Sequence, residues 1–233
     1  MPGRAAPRNA VAPWVYDEAQ ARRDLGELQA LLAPGVPLQE ARDILPFVAD
    51  HADLFCLLAG YNNQAVVFDR LGAEISFMGQ FRADLIAGDS TRRAYSFVEF
   101  EDAEYDSIFE DTRRQQEAWS RRCDHGMSQL VDWLWLTDDQ RHSTLLPHIL
   151  GPQPITITAV LIIGRDHFLK GNGSERTRLE WRRNRTLVNS QHVLIYTFDE
   201  MMNDLRGRLA RRSALARTSP PTASHRVIRP RRR

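Results

Sequence analysis

Apolar positions recur at helical spacing from Tyr16 to Leu32 and stop at Pro34-Gly35, which predicts a first helix closed by a strong breaker. A second helix is predicted over about Leu38 to Ala49 and a third over Ala52 to Leu58. The period then changes. Three short runs, Ala73 to Met78, Phe81 to Ala87 and Tyr95 to Glu101, are apolar or alternating and are separated by Gly79-Gln80 and Gly88-Asp89-Ser90, the pattern of a strand meander. Glu110 to Leu136 carries Leu and Trp on one side and Arg, Gln and Glu on the other, predicting one long amphipathic helix. Ile155 to Ile163 is a nearly unbroken β-branched run that ends at Gly164 and reads as a buried central strand. His192 to Tyr196 is a second such strand, and Thr197-Phe198-Asp199 forms an N-cap region for a last helix reaching about Leu209. This order predicts an α/β fold with a mixed central sheet flanked by helices.

Composition narrows the picture. A chain of 233 residues with 42% hydrophobic content can bury one sizeable core. The expected division is an N-terminal arm and helix over 1–37, one main domain over 38–210, and a disordered Arg-rich tail over 211–233. The tail holds eight arginines and no acid, so the formal charge of +1 for the whole chain leaves −7 on its first 210 residues. Such a tail can bind phosphates or acidic surfaces, and can equally be a solvated end. Lys170 is the only lysine, so positive chemistry here must be guanidinium. No run approaches the roughly 20 apolar residues of a membrane span and the N-terminus lacks a signal-peptide core, so a cytoplasmic protein without a membrane partner is expected. Cys56 and Cys123 have no CxxC or zinc-ligand spacing and read as buried, inert thiols.

The candidate chemistry lies in the meander. In Tyr95-Ser96-Phe97-Val98-Glu99-Phe100-Glu101 the two-residue period puts Glu99 and Glu101 on one face. Asp84, in the preceding strand and an otherwise apolar context, would stand beside them. Unpaired carboxylates in a buried sheet cost several kcal/mol each, so something positive must sit among them. A hard cation with oxygen ligands, Mg²⁺ or Mn²⁺, is one solution; an ion pair from Arg82 is the other. Arg178, Arg182, Arg183 and Arg185, with Arg176 and with Trp181 among them, form a basic segment that can grip a phosphate backbone or simply be a solvated charged helix. Gly171-Asn172-Gly173-Ser174 is a turn, since it lacks the GK[ST] ending of a P-loop. His125, one turn before Gln129, is the one histidine near enough to this chemistry to watch.

The series Phe81 to Ile86, then Phe97-Val98-Glu99-Phe100-Glu101-Asp102, then Gln129 with Trp133 one turn later, resembles the D…ExK…QxxxY array of PD-(D/E)XK nucleases. Gly164-Arg165 and Ile195 to Met202 are similar to the closing elements of the Shedu (SduA C-terminal) family, and the resemblance covers about residues 38 to 206. It implies a restriction-endonuclease-like fold and a Mg²⁺- or Mn²⁺-dependent nuclease acting on DNA in anti-phage defence. It also implies Asp84 and Glu99 as metal ligands, Glu101 as ligand or base, Gln129 as support from the packed helix, and a homo-oligomer. Ala83 replaces the motif proline, and Glu101 occupies the usual lysine position. Some restriction enzymes of this superfamily carry ExE, so catalysis and a noncatalytic module that binds nucleic acid or a protein both remain open.

Overall fold

The computed structural model describes residues 3–33, 35–77, 79, 81–110, 117–140, 143, 145–170, 173–188 and 191–218. Strand β1 (Ala12–Pro13) leads into helix α1 (Glu18–Leu31), where the Asp17 carboxylate caps the free amides of Ala19 and Gln20 at 2.9 and 3.1 Å. The second expected helix begins instead as a π-helical turn (Glu40–Ile44) before α2 (Leu45–Asp50), and the third is α3 (Ala52–Phe55) continued as a 3-10 segment to Tyr61. The meander follows as β2 (Arg70–Phe77), β3 (Phe81–Asp89) and β4 (Ala94–Phe100).

The long helix expected from Glu110 starts eleven residues later. Phe109–Glu110 (β5) pairs with Ala118–Trp119 (β6) in a two-stranded ribbon, and α4 runs over Arg121–Asp139. Two contacts explain the late start. Phe109 and Trp119 pack ring against ring at 4.5 Å, and the Ser120 hydroxyl accepts the amide of Cys123 at 3.0 Å, capping the helix there. Next come α5 (Leu145–Leu150), β7 (Thr156–Ile162), α6 (Ser174–Arg185), a small ribbon of β8 (Leu187–Val188) and β9 (Gln191–His192), β10 (Leu194–Tyr196) and α7 (Phe198–Thr218). Thr197 and Glu200 cap α7 reciprocally, each side chain accepting the other's amide, at 3.2 and 2.9 Å. The helix continues past the expected end at Leu209, so the first part of the tail expected to be disordered is helical to Thr218. Once a helix exists, each added residue of Arg-Arg-Ser-Ala-Leu-Ala-Arg needs no new nucleation, and the Arg212 guanidinium lies 4.8 Å over the Tyr16 ring. The rest of the tail, 219–233, and Gly171-Asn172 of the expected turn lie outside the described residues.

The six-stranded sheet has the order β1-β2-β3-β4-β7-β10. Its first four strands are antiparallel neighbours, whereas β4, β7 and β10 run parallel, so the sheet is mixed as expected. One apolar cluster joins Val98, Phe100, Val160 and Ile162 to α1, α3 and α7; the other joins Tyr95, Phe97, Ala159 and Leu161 to α4, α5 and α6. Helices therefore cover both faces, which is why β4 is buried along its whole length. Residues 18–32 of the N-terminal region supply Ala21, Leu28 and Leu32 to the first cluster. Arg165, 3% exposed, binds Asp199 through two bonds of 2.9 and 3.0 Å and the Leu32 carbonyl at 2.8 Å, tying α1 and α7 to the end of β7. Among the described residues no single helix is long and apolar enough to cross a membrane. Both cysteines are buried and free, and burial pushes the Cys123 thiol up to about 12.

Candidate functional site

The register of β3 on β4 pairs Leu85 with Val98; one step further sets Asp84 across from Glu99, on the face that carries Ile86 and Phe97. The Phe100 amide donates to Asp84 Oδ2 at 2.9 Å. Asp84, Glu99 and Glu101 are each only 5% exposed. They converge at the carboxyl end of β4, beside parallel β7, the end at which open α/β sheets present ligands. The strand opposite is distorted at the same level. Glu74 has φ 52, and the β2–β3 ladder skips it while pairing Ala73 with Leu85 and Ile75 with Ala83. Left-handed backbone at a non-glycine residue costs about 1 kcal/mol and concentrates at functional sites.

A fourth acid joins them that no local pattern announced. Glu40, first residue of the π-helical turn, is the largest like-charge neighbour of both Asp84 and Glu101 after burial itself. An acid at a helix start is ordinarily a favourable terminal charge, so the sequence gives no reason to move Glu40 into a site built 44 positions later. Burial, then Asp102, raises the Glu40 carboxyl as well. Desolvation is the leading cause throughout. It raises Asp84 and Glu99, which share a hydrogen bond, with mutual and neighbouring repulsion adding to the rise in Glu99. Glu101 is raised from 4.5 to about 8 by burial, Glu40, Asp102 and Asp84, against partial relief from Arg122.

Helix α4 packs close over this group. A Cβ at Gly126 would sit 2.6 Å from Leu161 Cδ1 and 3.3 Å from Glu101 Cγ, so only glycine lets the helix approach. Three residues on, Gln129 is half-buried, and its Oε1 has no hydrogen-bond partner among the described residues. Glu99 Oε2 is orphaned in the same way. The alternative ion pair with Asp84 is not formed: Arg82 is 58% exposed and, among the described residues, pairs with Glu74 at 3.9 Å. Arg82, Arg122 and His125 act on Glu40 only as surrounding positive charge.

The basic segment of α6 is largely used inside the molecule. Arg178 donates to the Glu117 carbonyl at 2.8 Å and covers the Phe109 ring. Arg182 pairs with Asp124 at 2.9 Å and lies over Trp119. Arg183 pairs with Glu200 at 2.5 Å, lies over Tyr196 and donates to the Ile195 carbonyl. Arg185 and Trp181 are exposed. Composition could not separate these roles, because the partners come from β6, α4, β10 and α7.

The residues suit a hard divalent cation on chemical grounds. The donors are oxygens only, and among the described residues Glu99 Oε2 lacks a partner and no cationic side chain pairs with Asp84, Glu99 or Glu101. Among the described residues no group of three or more His, Cys, Asp or Glu side chains is placed to hold a metal ion. Mg²⁺ does not require one, since it characteristically keeps several waters and takes one or two carboxylates. The family model described as Shedu protein SduA, C-terminal, matches residues 38–202, a stretch that contains Glu40, all three acids of the sheet and Gln129. No curated protein matches the chain.

Proposed function

Because the chain belongs to the Shedu SduA C-terminal family, a membership that suggests anti-phage defence, we propose that it is a PD-(D/E)XK-type, divalent-cation-dependent nuclease acting on DNA. The observation that carries this reading is the buried set Asp84, Glu99 and Glu101 at one strand end, with Glu99 Oε2 lacking a hydrogen-bond partner among the described residues. Asp84 and Glu99 would hold Mg²⁺ or Mn²⁺, with Glu101 and Glu40 as neighbouring negative charges. A bound cation would supply Lewis-acid stabilisation of the phosphodiester charge that the missing lysine would otherwise share. Glu101, with a carboxyl near 8, changes protonation close to neutral pH and takes the proton of the attacking water. Gln129, whose buried amide oxygen can accept from a water, orients that water. Arg185 and Trp181 remain available for the DNA backbone and its bases, whereas Arg178, Arg182 and Arg183 hold the fold together.

A second reading, a nuclease-fold module that binds without cutting, is favoured by one observation. The guanidinium nearest Glu101, that of Arg122, is held by Asp102, Glu104 and Asp106 at 2.8 to 3.1 Å. Cleavage of supercoiled and linear DNA by wild type and Glu99→Ala, with Mg²⁺, Mn²⁺ or EDTA, separates the two. Metal-dependent cutting that falls by about a thousandfold or more in the variant supports the nuclease; DNA binding without cutting by either folded protein supports the module.

A further inference from the structure

Glu40 belongs to a separate element, and something must bring it to the acids of the sheet. The entry to its π-helical turn runs beside the chain leaving β4: Leu38 and Ala103 exchange amide-to-carbonyl bonds of 3.2 and 2.8 Å. The first amides of a helix lack intrahelical acceptors. Asp102 supplies one, accepting the Glu40 amide on Oδ1 at 2.6 Å. Its other oxygen accepts from Arg122 Nε at 2.8 Å, while its backbone carbonyl takes the Gly164 amide at 2.9 Å. One side chain thus joins the turn carrying Glu40 to helix α4, while the backbone of the same residue holds the chain just past β7. Asp102 also holds Arg122 at the rim with Glu104 and Asp106, so that among the described residues no guanidinium pairs with Glu101.

We propose that Asp102 is a positioning residue that seats Glu40 beside Glu101 and so admits a fourth carboxylate to the cation-binding site. Asp102 acts through Glu40 and Arg122, outside the ligand set. The proposal rests on the cation-binding reading above for its functional half. Its geometric half, the anchoring of Glu40, does not.

The full chain and its Asp102→Ala, Asp102→Asn, Glu40→Gln and Asp102→Ala/Glu40→Gln variants are compared by calorimetric Mn²⁺ titration and by hydrogen exchange at the Glu40 amide, with circular dichroism to establish folding. In Asp102→Ala the Glu40 amide exchanges faster and Mn²⁺ affinity falls about tenfold, the usual size of an outer-sphere effect. Adding Glu40→Gln to that variant costs less than about a further twofold, because Glu40 is already displaced. Asp102→Asn, which keeps an acceptor oxygen, retains amide protection and most of the affinity. Unchanged exchange in Asp102→Ala, or fully additive losses in the double variant, overturns the proposal. Absence of Mn²⁺ binding by wild type overturns the cation reading instead, and the exchange result alone then decides whether Asp102 anchors Glu40.

Discussion

Asp84 and Asp89 lie five positions apart on the same strand, both buried, and the fold treats them oppositely. Asp89, at the turn end of the β3–β4 hairpin, accepts the amides of Val66, Val67 and Arg92 at 2.8 to 2.9 Å. Those bonds hold its carboxyl below the usual range despite the opposing effect of burial. Asp84, at the other end, accepts one amide and faces Glu99, Glu40 and their repulsion, and its carboxyl is driven up. A fold that can satisfy a buried carboxylate with three amides leaves four acids short of donors in one place. Under the cation-binding proposal the difference marks where an external partner would belong: a structural acid is answered from within, and a binding acid would be left for something that arrives.

That contrast can be broken by substitution. Asp89→Ala strands three amides, and chemical denaturation should show a loss of about 2–4 kcal/mol. If it instead unfolds at the wild-type midpoint, the satisfied end is not structural. The next effect is on pH. Glu101 is raised in the folded state, so its favourable contribution is complete below the ordinary 4.5 and is lost as pH climbs through about 8. Metal-free protein should lose on the order of 3 kcal/mol between pH 5 and pH 9 by equilibrium unfolding, and Glu101→Gln should flatten that slope. Saturating Mn²⁺ at about a hundred times its dissociation constant should restore roughly 2.7 kcal/mol; a melting temperature indifferent to Mn²⁺ would count against a cation at this end.

Smaller effects sharpen the same contrast. Asp84→Asn relieves repulsion while keeping an acceptor for the Phe100 amide, so unfolding without metal should match wild type or gain up to about 1 kcal/mol. A clear loss would mean that Asp84 is held as Asp89 is. Glu74→Gly removes a left-handed side chain opposite Asp84, at the expense of its exposed pairs with Arg8 and Arg82, and should shift stability by less than about 1 kcal/mol.

How much of this was legible beforehand differs by range of interaction. The alternation through Tyr95 to Glu101 put Glu99 and Glu101 on one face, and the neighbouring run brought in Asp84, because a strand's period and a short hairpin are local properties. The same periodicity marked β7 as a buried strand and Thr197 as the start of a helix cap. It misread Glu110 and residues 117–120 as helix, where an aromatic pair and a serine cap outweighed the charged pattern.

Glu40, Asp102 with Arg122, and the close approach at Gly126 were decided by tertiary structure, as was the diversion of three α6 arginines into internal contacts. Each depends on which elements dock and on how much water they exclude, and neither is encoded in the spacing of residues within one element. A strand's pleat aligns carboxylates a few ångströms apart whatever surrounds it; only the packing of helices over that pleat removes their solvent, shifts their protonation and determines which charges remain unanswered.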